Sequence, residues 1–191
     1  MKEFKLEKNS IGSSFTSVVN KKPIILNTAH SLFNSYGFNS VGVDRIIAES
    51  NVAKMTFYKN FGSKDNLIFE CVKFEIESQK REILNTLEPL DDFTSREKIL
   101  AIYQLHINQI RKPDYNGCLL NKAVIELWHL KDLISAIESF NTWKFDIVAD
   151  LIKGSGAKTV FNVLNGIMQP ANNYIINWQD FSNLVDLFDK N

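Results

Sequence analysis

From Gly37 to Leu67 the chain reads GFNSVGVDRIIAESNVAKMTFYKNFGSKDNL, and the punctuation of this stretch decides the fold. Val43, Ile46 and Ile47 recur at helical spacing, so residues 43–50 form a short helix with one apolar face. Asn51 follows, a residue that tolerates the left-handed conformation a sharp turn requires. A second short helix starts again at once, over about residues 53–60. With Val52, Phe57 and Phe61 turned inward, it leaves Lys54, Met55, Thr56 and Lys59 outside. Upstream, a longer helix begins near Pro23, whose fixed φ suits a first turn. Its apolar face runs through Ile25, Ala29, Leu32, Phe33 and Tyr36, and Gly37 ends it. One packing helix followed by two short ones across a tight turn is the helix-turn-helix layout.

The outer face of the second short helix suits a DNA major groove. Lysine donates to a guanine edge or meets a phosphate, threonine offers a hydroxyl to a phosphate and a methyl to thymine, and methionine gives adaptable apolar contact. Arg45, near the start of the preceding helix, is a further candidate for a base or a phosphate. Ser63 is a good cap for a fourth helix with Asp65 in its first turn. Lys64 stands where the amides and dipole of that helix also attract an anion.

This run resembles the TetR family of bacterial transcriptional repressors. The matching features are the helix ending in Gly37, the Ile47-Ala48 pair, Val52 at the turn, Lys54-x-Thr56-x-Tyr58-x-x-Phe61, and Ser63-Lys64-x-x-Leu67, over about 45 of 191 residues. The resemblance implies that Thr56, Tyr58 and Lys64 contact backbone phosphates. It further implies a cytoplasmic homodimer on a double-stranded, palindromic DNA operator, released by a small-molecule effector. Gly42 and Ala53 stand where Ser or Thr caps the two short helices in the family. A lost cap costs about 1 kcal/mol, which predicts a less rigid recognition helix in the absence of DNA. Asp44 and Met55 also depart from common family choices, which leaves the operator sequence open.

Charge follows the same division. The whole chain balances 22 basic against 22 acidic residues, but residues 1–67 hold nine basic and five acidic ones. The basic surplus therefore lies in the third expected to face a polyanion. The expected organisation is all-α: a flexible arm over residues 1–20, a helix-turn-helix DNA-binding domain over 21–67, and a helical ligand-binding and dimerisation domain over 68–191. In the last of these, helices are expected to Leu87 before Glu88-Pro89, from Thr94 or Ser95 to before Pro113, over 118–130, 133–153 and 157–178, with a terminal turn over 181–189.

The larger domain has no comparable motif. Phe74, Tyr103, His106, Cys118, Trp128 and Trp143 could wall a pocket with a few polar tips, and fourteen phenylalanines suggest an apolar or aromatic effector. Phe145, Val148, Leu151, Ile152, Phe161, Leu164, Ile167 and Met168 are candidates for a four-helix bundle between subunits. Residues 159–179 carry no formal charge, but their asparagines would each need a partner in lipid, so a helix inside protein is expected and no membrane contact. Two cysteines without C-x-x-C spacing point to reduced thiols. Glu126-x-x-His129 has the spacing of one di-iron ligand pair, yet such a site needs two pairs and two more glutamates. No metal or cofactor is expected, nor an enzyme. Two alternatives remain: the same fold controlled by a protein partner or acting as an activator, and a helical enzyme using Glu126, His129 and Cys118.

Overall fold

The computed structural model of the chain describes residues 20–152, 154, 156–168 and 177–188; of the expected arm only Asn20 is among them. Those residues are all-α. Helix α1, Lys22–Tyr36, carries Pro23 in its first turn and stops at Gly37, whose φ of 80° no L side chain adopts without strain. Helix α2, Val43–Ser50, ends at Asn51 in the left-handed conformation, φ 50° and ψ 51°. Asn51 is the one non-glycine residue at positive φ among the described residues, so the turn chemistry read from the sequence holds. Helix α3, Lys54–Phe61, follows directly. Neither Gly42 nor Ala53 offers a side-chain cap to the helix it precedes.

Ser63 caps helix α4, Lys64–Leu87, accepting from the Asn66 amide at 3.1 Å. A 3₁₀ turn, Glu88–Leu90, diverts the chain at Pro89. Helix α5, Ser95–Ile110, begins with a reciprocal cap: the Thr94 hydroxyl accepts from the Glu97 amide and the Glu97 carboxylate accepts from the Thr94 amide at 2.9 Å. Replacing Thr94 with alanine is expected to cost about 1 kcal/mol. Thermal unfolding followed by circular dichroism should then show a midpoint lower by roughly 2–4 °C.

Helix α6, Leu119–Glu126, stops four residues before the expected end. A turn closed by the Leu130 amide on the Leu127 carbonyl, at 2.9 Å, lets both leucines face the core, which a continuing helix would not allow. Helix α7 is Lys131–Leu151 and α8 is Gly156–Ile167. The single uncharged helix expected to reach residue 178 is thus shorter, and residues 169–176 lie outside the described residues. Trp178 instead opens α9, Trp178–Asp186, because Asn177 caps it by accepting from the Asp180 amide at 2.9 Å. The expected terminal turn is the body of that helix.

Two apolar clusters hold these elements. The first joins Phe33, Phe38, Phe57 and Phe61 to the first half of α4, to α6, and to Leu133, Ile137 and Phe140 of α7. The second packs α5 against the end of α7, α8 and α9 through Ile99, Tyr103, Val148, Val160, Leu164 and Phe181. Each fully buried large side chain stabilises by about 1.5–3 kcal/mol relative to an exposed one. Tyr36, placed on the apolar face of α1 by its spacing, and Phe74, expected to wall a pocket, are instead 54% and 39% exposed. They sit at the edges of their stripes: the Arg45 guanidinium lies 4.0 Å from the Tyr36 ring centre, and the His30 ring meets the edge of Phe74 at 5.4 Å.

Candidate nucleic-acid interface and effector cavities

Helix α3 is held from below by Phe57 and Phe61, 0% and 5% exposed, so its other side must face outward. Met55 is 83% exposed and Tyr58 44%, with Lys54 and Lys59 exposed beside them and Thr56 partly buried. Lys59 has no ion-pair partner among the described residues. Lys54 reaches Asp44 of α2 at 3.4 Å, and Arg45 donates to Glu49 at 2.8 Å. Both are exposed pairs worth at most about 1 kcal/mol, so a phosphate can take over either cation. Lys64 is different. Its ammonium donates to the Phe38 carbonyl at 2.7 Å and braces the loop between α1 and α2, with two protons left for an anion. Burial lowers its pKa from the ordinary lysine value.

Sequence reasoning missed the fastening behind this interface. Glu126, at the end of α6, accepts from the Asn39 amide at 2.8 Å, and the Lys122 ammonium donates to the Asn34 carbonyl at the end of α1. Two turns of one helix thus grip both sides of the bend that follows α1. These contacts span 87 and 88 positions, so no local pattern announces them.

The six candidate effector residues do not converge. Tyr103 stacks on Phe181, ring centres 4.5 Å apart, inside the second core. Trp143 stacks on Phe140 at 5.8 Å, while Trp128 is 66% exposed in the turn after α6 and Phe74 flanks α1. Cys118 borders a polar cavity of ≈ 220 Å³ with His30, Glu75, Gln79, Glu82 and Tyr115. There the His30 ring bonds Glu75 at 2.7 Å, tying α1 to α4. Burial works to raise the Glu75 carboxyl, but hydrogen bonds from His30 and Gln79 outweigh it and hold the pKa below the usual value. His106 borders a second cavity, apolar and of ≈ 20 Å³, with Lys144 and Asn165. Its Nδ1 is buried without a hydrogen-bond partner, and burial, assisted by Lys144, pulls its pKa down to about 4. The imidazole is therefore neutral near pH 7.

Of the dimerisation candidates, Val148, Ile152, Leu164, Ile167 and Met168 are buried within one chain, while Phe145, Leu151 and Phe161 stay partly exposed. Burial lifts the Cys71 thiol to about 12, with a smaller push from Glu70, so it is inert near neutrality. Glu126 is committed to Asn39, and His129 is exposed. Among the described residues no group of three or more His, Cys, Asp or Glu could hold a metal ion, and no helix is long and apolar enough to cross a membrane.

A helix-turn-helix with a solvent-facing second helix, fastened to a helical body, is the architecture of a DNA-binding domain joined to a larger helical one. Residues 25–71 match the family model described as bacterial regulatory proteins, tetR family. The fold is similar to that of SCO4454, a TetR-family transcriptional regulator from Streptomyces coelicolor, at TM-score 0.75 and 22% identity, covering 89% of this chain and 93% of that one. It is also similar to reduced NemR from E. coli, at TM-score 0.73 and 19% identity over 88% and 95% of the two chains. A curated relative, the uncharacterized HTH-type transcriptional regulator YezE of Bacillus subtilis (strain 168), is 24% identical over 117 residues, or 60% of this chain. That match spans 59% of the relative's length. Residues 25–71 thus match the DNA-binding domain of that family, and the chain as a whole shares the fold of these regulators.

Proposed function

We propose that the protein is a cytoplasmic repressor that binds a palindromic operator as a homodimer and leaves it when a small, apolar or aromatic effector binds the larger domain. In this reading residues 21–67 bind DNA and residues 68–191 bind the effector and the second subunit. The observation that carries it is the outward face of α3, where Met55, Tyr58 and Lys59 stand free above a fully buried Phe57. Two such helices enter successive major grooves when half-sites lie about 34–36 Å apart. An effector that turns α4 would alter that spacing, since α4 touches α1 through the His30–Glu75 bond.

Gel-shift titrations on genomic fragments selected by the wild-type protein test this. Tyr58→Phe, Lys59→Ala and Lys64→Ala are expected to weaken binding without loss of the dimer in light scattering. Each lysine change should also lower the slope of log affinity against log salt by about one unit. Unchanged affinity in all three would refute the interface. The small volume beside His106 favours a second reading, control by a protein partner with no small ligand, and calorimetric titration with small organic acids separates the two.

A further inference from the structure

Inside the second half of the molecule, α4, α5, α7 and α8 line a cavity that, among the described residues, holds one buried polar atom without a partner and one cation without a carboxylate. Its walls are apolar, with Ile83 from α4, Ile102 from α5 and Phe161 from α8. Three polar side chains enter it: His106, Lys144 and Asn165. His106 is 9% exposed, and its Nδ1 lacks a partner. The Lys144 ammonium donates to Asn165 Oδ1 at 3.0 Å and lies 4.9 Å from the Phe140 ring centre and 6.0 Å from that of Phe161. No carboxylate pairs with it among the described residues. A desolvated cation without a counter-ion is costly, and burial accordingly pushes the Lys144 pKa below its ordinary value.

The geometry points to a binding site for a monocarboxylic acid with an apolar alkyl or aromatic tail, its carboxylate held by Lys144 and by a proton on His106 Nδ1. This rests on the effector reading above and names the effector's class. One lysine and one neutral histidine match the two oxygens of a carboxylate, whereas a phosphate dianion would leave oxygens unpaired in an apolar wall. The tail belongs with Ile83, Ile102 and Phe161. A volume of ≈ 20 Å³ holds little more than a water molecule, so an organic acid is seated by driving these side chains apart. Ile83 is part of α4, the helix that also holds His30. Occupancy therefore favours a displaced α4, which is the differential affinity an effector needs.

Titration calorimetry of the full chain with hexanoate and phenylacetate, against hexanol and 2-phenylethanol, tests the site. The acids should bind roughly 10- to 100-fold more tightly than the alcohols, as a charge-assisted hydrogen bond predicts. Lys144→Met keeps the stem and removes the charge. It should erase that preference while leaving the thermal midpoint of the unliganded protein unchanged or higher, since a partly buried cation without a carboxylate partner is gone. His106→Leu should lose part of the preference, and His106→Gln, which keeps a donor, should retain it. Acids binding no better than alcohols, no binding of either, or an unaltered Lys144→Met would overturn the site. Operator release is scored separately. Acid binding without release keeps the site and removes the effector reading, whereas acid-driven release from Lys144→Met protein keeps the effector reading and removes the site.

Discussion

Phe57→Ala is expected to abolish operator binding by unfolding the recognition helix rather than by removing a DNA contact. Phe57 is fully buried, with its ring 5.2 Å from Tyr58 and 6.0 Å from Phe61. Helix α3 has eight residues and no side-chain cap at Ala53. A free helix shorter than about 12–15 residues is marginal in water, so α3 exists because its inner face is packed. Truncating a buried phenylalanine costs about 3–5 kcal/mol. Set against a total stability of about 5–15 kcal/mol, that is enough to leave the helix-turn-helix unformed for much of the time. Urea unfolding should show the loss directly, and gel shifts should show no complex. Met55→Ala is the control, since a residue 83% exposed should change stability by no more than about 0.5 kcal/mol. A Phe57→Ala protein as stable as Met55→Ala would mean that α3 is held by something other than its buried ring.

The elements legible in the sequence are those fixed by neighbours a few residues apart. Asn51 at the α2–α3 turn, Ser63 before α4 and Thr94 before α5 each act within one helical turn, and each sits where its chemistry places it. Side-chain direction on α3 was legible for the same reason, because inward Phe57 and Phe61 leave one face free. Contacts between distant segments were not. Spacing made Phe74 and Trp128 look like pocket walls, yet which residues at the edge of an apolar stripe are covered depends on the angle at which a second helix crosses it. The end of α6 escaped for a related reason: Leu127 and Leu130 turn toward a core built by other helices. Glu126 shares a metal-pair spacing with His129 that the lack of a second pair already discounts, but only the fold shows its carboxylate against the Asn39 amide.

That last contact makes Gly37 the most exacting position in the bend after α1, and Gly37→Ala is expected to be severely destabilising for two separable reasons. The first is local. Its backbone, φ 80° and ψ 167°, lies in a region open to glycine almost alone, and a side chain there costs about 1–3 kcal/mol. The second is the latch: a Cβ at residue 37 would lie 2.6 Å from Glu126 Oε1. The carboxylate would have to withdraw, and its hydrogen bond with the Asn39 amide, about 1.5–3 kcal/mol for a charged acceptor, would weaken or break. A total of about 3 kcal/mol or more follows. Glu126→Ala alone should cost only the hydrogen bond. In the double variant the added methyl has nothing to strike, so the loss should fall short of the sum of the two single losses by up to the hydrogen-bond contribution, about 1.5–3 kcal/mol. A strictly additive cycle would show that backbone strain accounts for the whole effect. Operator affinity discriminates further, because the same bend carries the Phe38 carbonyl that Lys64 braces. If the grip of α6 on this bend sets the pose of α2 and α3, Glu126→Ala should weaken DNA binding by more than its modest loss of stability explains, and restoring stability with a cosolute should not recover it.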